Sequence, residues 1–104
     1  MKKIVNLTPH EINIIGDINI TILPSGIVTR VSETIEIIDN INGIPIIHKV
    51  FGTIENLPDL EKDTIFIVSL LVAQIVKRSD ILTIGETVRN DKGQVIGAKS
   101  LAII

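Results

Sequence analysis

The sequence predicts a β-rich α+β domain: an antiparallel sheet forming a small barrel or sandwich, with one short helix, at about residues 69–77, packed on it. Three observations carry this. Isoleucine supplies 24 of the 104 residues, whereas Phe supplies 2 and Trp, Tyr and Cys none, and a β-branched side chain favours strands. Polar and apolar residues alternate with period two in several stretches. Turn-forming residues separate those stretches at short intervals. At 104 residues the chain is one domain, residues 1–104, with a single core.

The elements follow in order. Asn6-Leu7-Thr8-Pro9-His10-Glu11 has the spacing of a capping box, with Thr8 at the N-cap, Pro9 at N1 and Glu11 at N3. Alternation resumes at Ile12, so the sequence allows one capped turn before a strand, with His10 projecting from it. Ile12-Asn13-Ile14, Ile18 to Ile22 and Ile35-Glu36-Ile37 read as half-buried strands, punctuated by Gly16-Asp17 and Pro24-Ser25-Gly26. Asn42-Gly43 between Ile35–Ile38 and Ile44–Ile47 is a hairpin signature, because both residues tolerate positive φ. Pro45 cannot donate to a ladder, which places its strand at an edge or a bulge. Glu55 to Lys62, with Pro58 and several acidic residues, reads as an exposed connection.

Asp63 to Val68 is a continuous apolar strand, placed centrally. Ser69 caps a helix from Leu70 to Lys77 whose apolar residues cover nearly every face, which predicts burial on most sides. Asn90 to Gly93 joins Thr87–Arg89 to Gln94–Ile96 as a second hairpin with Gly93 left-handed. The chain ends on strand-like Leu101 to Ile104, an end that must be docked.

Composition excludes several functions. A net charge of −2 without a basic run is unlike a duplex-binding face, and two aromatic residues leave little for base stacking. The longest apolar run, Ile65 to Val76, is broken by Ser69 and Gln74 and falls short of a membrane span. Lys2 and Lys3 are followed by Asn6, His10 and Glu11, unlike a signal peptide. No cysteine is present, so thiolate chemistry is absent and a cytoplasmic location is the expectation. A mean hydropathy of +0.48 is high for so small a domain. It predicts that apolar surface meets another subunit, with the helix and the C-terminal strand chosen as the homo-oligomer interface.

Chemistry-bearing residues fall into three groups. Thr8 and His10 belong to the capped turn, whose free amides suit a carboxylate or phosphate, or the box merely satisfies the turn. Ser69 caps the helix and Gln74 lies within it, with Arg78 just beyond. Gln74 is the polar side chain within an apolar helix and, once buried, needs either backbone partners or a ligand. Arg78 pairs Asp80 locally or reaches an anion bidentately. Arg89, Lys99 and Ser100 lie on the last hairpin, and Arg30 on an earlier strand. They line a solvated face, or converge beside the Thr8 turn as a phosphate-sized pocket. His10 and His48 have no third ligand at metal spacing, so neither metal nor cofactor is expected. Ser69, His10 and Asp80 form no recognised triad motif, and no phosphate-binding glycine loop occurs, which weighs against an enzyme.

Asn6-Leu7-Thr8-Pro9-His10, the central Ile67-Val68-Ser69-Leu70-Leu71-Val72-Ala73-Gln74 and the ending Arg89-Asn90-Asp91-Lys92-Gly93-Gln94-Val95-Ile96-Gly97 together resemble a family of small uncharacterised phage and bacterial proteins. That family shares an N-L-T-P-H start, an I-V-S-x-x-V-A-Q centre and an R-D-E/D-x-G-x-I-x-G-like ending, and the resemblance covers almost the whole chain. It implies a phage anti-defence role: a non-enzymatic sponge that sequesters a nucleotide immune signal, a cyclic oligonucleotide or an ADP-ribose derivative. Its ligand would meet Thr8, His10, Ser69, Gln74, Arg78, Arg89 and Lys99. The alternatives are a protein-protein interaction module, either an inhibitor of a host protein or a small virion component, and a small hydrolase or isomerase with His10 as general base.

Overall fold

The computed structural model describes residues 2–104. Among them are strands β1 (Lys3–Asn6), β2 (Ile12–Ile15), β3 (Asn19–Ile22), β4 (Arg30–Ile41), β5 (Ile44–Glu55) and β6 (Thr64–Ile67). Helix α1 (Leu70–Ile75) follows, then β7 (Ile81–Ile84), β8 (Thr87–Arg89), β9 (Val95–Ala98) and β10 (Leu101–Ala102). The protein is therefore β-rich with one short helix. Among the described residues no helix is long and apolar enough to cross a membrane.

The strands form two four-stranded sheets, ordered β1-β6-β7-β10 and β3-β2-β9-β8, and a two-stranded ribbon of β4 and β5. The sheets are mixed, where the sequence predicts antiparallel pairing throughout. β6 pairs in parallel with both β1 and β7, and β2 pairs in parallel with β9 at Ile14 and Ala98. The physical reason for the β6–β7 pairing lies in α1. It is the crossover that carries the chain from one end of β6 back to the start of β7, and parallel neighbours require such a connection. Among the described residues no sheet closes on itself, so no closed barrel is formed there.

Both expected hairpins form. Asn42 and Gly43 have φ of 53° and 84°, the pair of left-handed conformations that a two-residue turn matched to strand twist demands. Gly93, at φ 79°, closes the β8–β9 hairpin. Pro45 lies on a strand with one neighbour only, and a register shift between Ile37 and Asp39 accompanies it across the ribbon.

The core gathers where β6 and β7 meet α1. Leu7, Phe66, Val68, Val72, Ala73 and Ile81 are buried there, with Val5, Val31, Leu57 and Val76 packed against them. Ser69 caps the helix, its Oγ accepting from the Val72 amide at 3.4 Å. The helix ends earlier than its apolar pattern predicts, because Val76 adopts φ −91° and ψ 114°, an extended conformation that suits its β-branched side chain. Its burial is also narrower than predicted. Val72 and Ala73 are buried, but Leu70 and Ile75 are 53% and 41% exposed, and Gln74 is exposed. A single short turn laid on a sheet buries only the stripe that faces it.

Beyond Ser32 the ribbon leaves the body. Its base is held by Val31, packed against the core, and by Thr29, whose hydroxyl donates to the Asn56 carbonyl at 2.8 Å. The radius of gyration is 16.6 Å and the longest dimension 52 Å, against a radius of about 13 Å for a compact domain of this length.

Candidate functional site

The turn at residues 7–11 is organised by Asn6, a residue the capping-box reading passes over. Asn6 ends β1 and is 1% exposed. Its Oδ1 accepts from the Thr8 amide at 2.9 Å and from the Thr8 hydroxyl at 2.7 Å, while its Nδ2 donates to the carbonyls of His10 at 2.8 Å and Ile22 at 3.2 Å. Both acceptor sites and both hydrogens of the amide are used, the full capacity of the group. The turn is a series of bends rather than a helical turn. Thr8 Oγ1 accepts from the His10 amide at 3.4 Å rather than from Glu11, as a capping box would have it. The backbone at the start of the turn is already committed to neighbours: the Leu7 amide donates to the Ile67 carbonyl and the Leu7 carbonyl accepts from the Thr29 amide. An amide two residues before Thr8, able to donate and accept at once, is the sequence signal for such a turn.

Two clefts open on either side of this turn, and both are lined by Thr8, Pro9 and Ser69. The first, about 270 Å³, adds Arg30 and Thr29 to the apolar walls of Leu7, Val28, Val31, Leu71 and Val72. Among the described residues no carboxylate closes an ion pair with Arg30, although Glu55 stands across from it in the β4–β5 register. The Ser69 hydroxyl accepts from Val72 and keeps its own hydrogen to donate. Among the described residues no acidic side chain lines this cleft.

The second cleft, about 370 Å³, is mostly apolar: Pro9, Ile12, Val68, Leu70 and Ile84, with His10, Glu11 and Thr83 beside them. Thus Thr8, His10 and Ser69 come together around one ridge, with Arg30 on its far side. Val28 and Leu71, which complete the first cleft, carry no chemical signal of their own in the sequence.

The other candidates lie elsewhere. Gln74 is exposed on α1. Arg78 takes the local alternative: Nε and Nη2 donate to the Asp80 carboxylate at 2.9 and 2.6 Å, and Nη1 donates to the Pro58 carbonyl at 3.0 Å. Those hydrogen bonds hold the Asp80 carboxyl below its usual range against the opposing effect of burial, and raise Arg78 in turn. Arg89 donates to the Gly93 carbonyl at 2.7 Å within its own hairpin. Lys99 lies 3.5 Å from Glu86 in an exposed pair, and Ser100 Oγ accepts from the Glu86 amide. These cations do not converge beside the Thr8 turn.

Compared with known proteins, the chain matches no family model, no curated protein and no solved structure.

Proposed function

We propose that this protein is a non-enzymatic binding protein that sequesters a phosphate-bearing, nucleotide-like signal across the ridge of Thr8, Pro9 and Ser69. The observation that carries this reading is Arg30, a guanidinium without an ion pair among the described residues, at a cleft that holds a free hydroxyl hydrogen on Ser69 and no carboxylate. Arg binds phosphate through two parallel N–H groups, and the Ser69 hydroxyl adds a third donor. The neighbouring cleft supplies the apolar faces of Pro9, Ile12, Leu70 and Ile84 that a base needs where aromatic residues are scarce. Glu11 lies on that side, which assigns the anion to the Arg30 side. His10 stands at the rim of the apolar cleft.

The resemblance to small phage proteins supports the same role, that of a sponge for a cyclic oligonucleotide or an ADP-ribose derivative in the cytoplasm of a bacterial host. In this reading the two four-stranded sheets act as the layers of an open sandwich, with Asn6 bonding across from β1 to the end of β3 and the clefts at the junction.

A thermal-shift screen with cyclic dinucleotides and ADP-ribose derivatives tests the proposal, followed by denaturation and mass analysis of what is released. One of these compounds raises Tm and returns with unchanged mass. Recovery of an altered compound would instead establish an enzyme. If none stabilises the protein, the interaction-module reading takes its place, which the exposed isoleucines of the β4–β5 ribbon favour.

A further inference from the structure

We propose that the β4–β5 ribbon is an assembly arm, which pairs edge to edge with the arm of a second copy of this chain. A two-stranded hairpin is marginally stable alone in water, yet this one has twelve residues in each strand. Eight of its large apolar side chains are 40–74% exposed. Set side by side across a shared edge, such side chains form apolar cross-strand pairs. They also occupy both faces of the ribbon: Ile35, Ile37 and Phe51 on one by the cross-strand register, Ile41, Ile44 and Val50 on the other. Among the described residues each strand has a neighbour on one side only, so two long edges carry unpaired backbone groups, and such edges template further pairing.

Charge indicates the occupant. The middle of β4 carries Glu33, Glu36 and Asp39, whereas the middle of β5 carries His48 and Lys49. The middle of the β4 edge is therefore acidic, whereas the same stretch of β5 holds Lys49 and the imidazole of His48 and no carboxylate, so a partner for each edge is found on the same molecule. Within the chain Glu36 stands opposite His48, and Glu33 is diagonal to Lys49 through its partner Phe51. Repeating that register between arms sets Glu36 beside His48 of the partner subunit and aligns the arm tips. Cross-strand pairs of opposite charge are favourable, while β4 on β4 would set acid against acid. Contact of β4 with a partner's β5 is heterologous, so copies add head to tail, into a ring where the rotation closes and into a filament where it does not. The arm, rather than the helix or the C-terminal strand, is then the principal interface. This inference stands apart from the ligand proposal, since no cleft residue but Arg30 and Val31 lies on the arm, and those two at its base.

Sedimentation velocity on the full chain at micromolar concentration tests it, using two charge-reversed variants, Glu33→Lys/Glu36→Lys and His48→Glu/Lys49→Glu. The wild type sediments as an oligomer, each variant alone as a monomer, and their mixture as a one-to-one hetero-oligomer. A third variant, Ile37→Lys, leaves the intrachain charges alone and alters a side chain 74% exposed in the single chain. It remains folded by circular dichroism and is monomeric. A monomeric wild type overturns the proposal, as does an oligomer that survives Ile37→Lys. If the arm is covered by a different protein, the wild type alone is monomeric and the proposal falls in the same way.

Discussion

The side-chain amide of Asn6 donates to the main-chain carbonyl of His10 at 2.8 Å, across the turn that forms the ridge between the two clefts. With its bonds to Thr8 and Ile22 this makes one buried side chain responsible for the position of Thr8, Pro9 and His10. Asn6→Ala strips four hydrogen bonds, some from groups that water reaches poorly. It lowers stability by about 3 kcal/mol and Tm by roughly 15 °C. Urea denaturation measures the loss, and amide exchange at Thr8 accelerates in parallel. A loss below about 1 kcal/mol would mean that the turn holds itself.

Asp80 predicts an acid dependence. Its folded-state pKa is depressed, so the stability it contributes is fully present above the ordinary carboxylate range and disappears as pH falls through the folded value. Asp80→Asn leaves the part-buried Arg78 without its counter-charge and costs on the order of 2 kcal/mol at pH 7. The gap between variant and wild type narrows below about pH 4. Denaturant midpoints at pH 7 and pH 3 check both statements, and a gap independent of pH would contradict them.

Two glycines separate close approach from backbone conformation. A Cβ on Gly97 would lie 2.6 Å from the Asn13 carbonyl oxygen and 2.7 Å from Ile15 Cδ1, where β9 crosses β2. The carbonyl belongs to the sheet and cannot move aside, so Gly97→Ala costs about 2 kcal/mol. At Gly93 the added methyl meets open space, but φ is 79°. Gly93→Ala therefore costs only about 1 kcal/mol, through conformation alone. Equal losses for the two variants would argue against the β2–β9 contact.

What could be read in the sequence was local chemistry. Asn42-Gly43, Gly93 and Ser69 each specify a backbone conformation or a cap within a few residues, and each occupies the role it signals. Pairing was not legible, because β1 finds β6 across most of the chain and nothing in Lys3–Asn6 encodes a parallel partner. Gln74 was expected to be buried because its helix is apolar all round, yet which stripe meets the sheet is decided by the crossover from β6 to β7. Arg78 illustrates a different limit. Its spacing to Asp80 permitted both a local pair and a free anion site, and the nearby Pro58 carbonyl, known only from the fold, completes the pair. The arm had a signal that an antiparallel meander hides: Ile35, Ile37 and Ile38 fall in both phases of the alternation, which sets apolar side chains on both faces of a ribbon.

Arg30 bears the weight of the functional proposal, and calorimetry with cyclic dinucleotides and ADP-ribose on the wild type and on Arg30→Ala addresses it most directly. At least one of these compounds binds the wild type and is recovered intact, and the variant binds it roughly 10- to 100-fold more weakly, as the loss of a charged hydrogen-bond donor implies. Unchanged affinity in Arg30→Ala, or no binding to either protein, would contradict the assignment of the anion to this cleft.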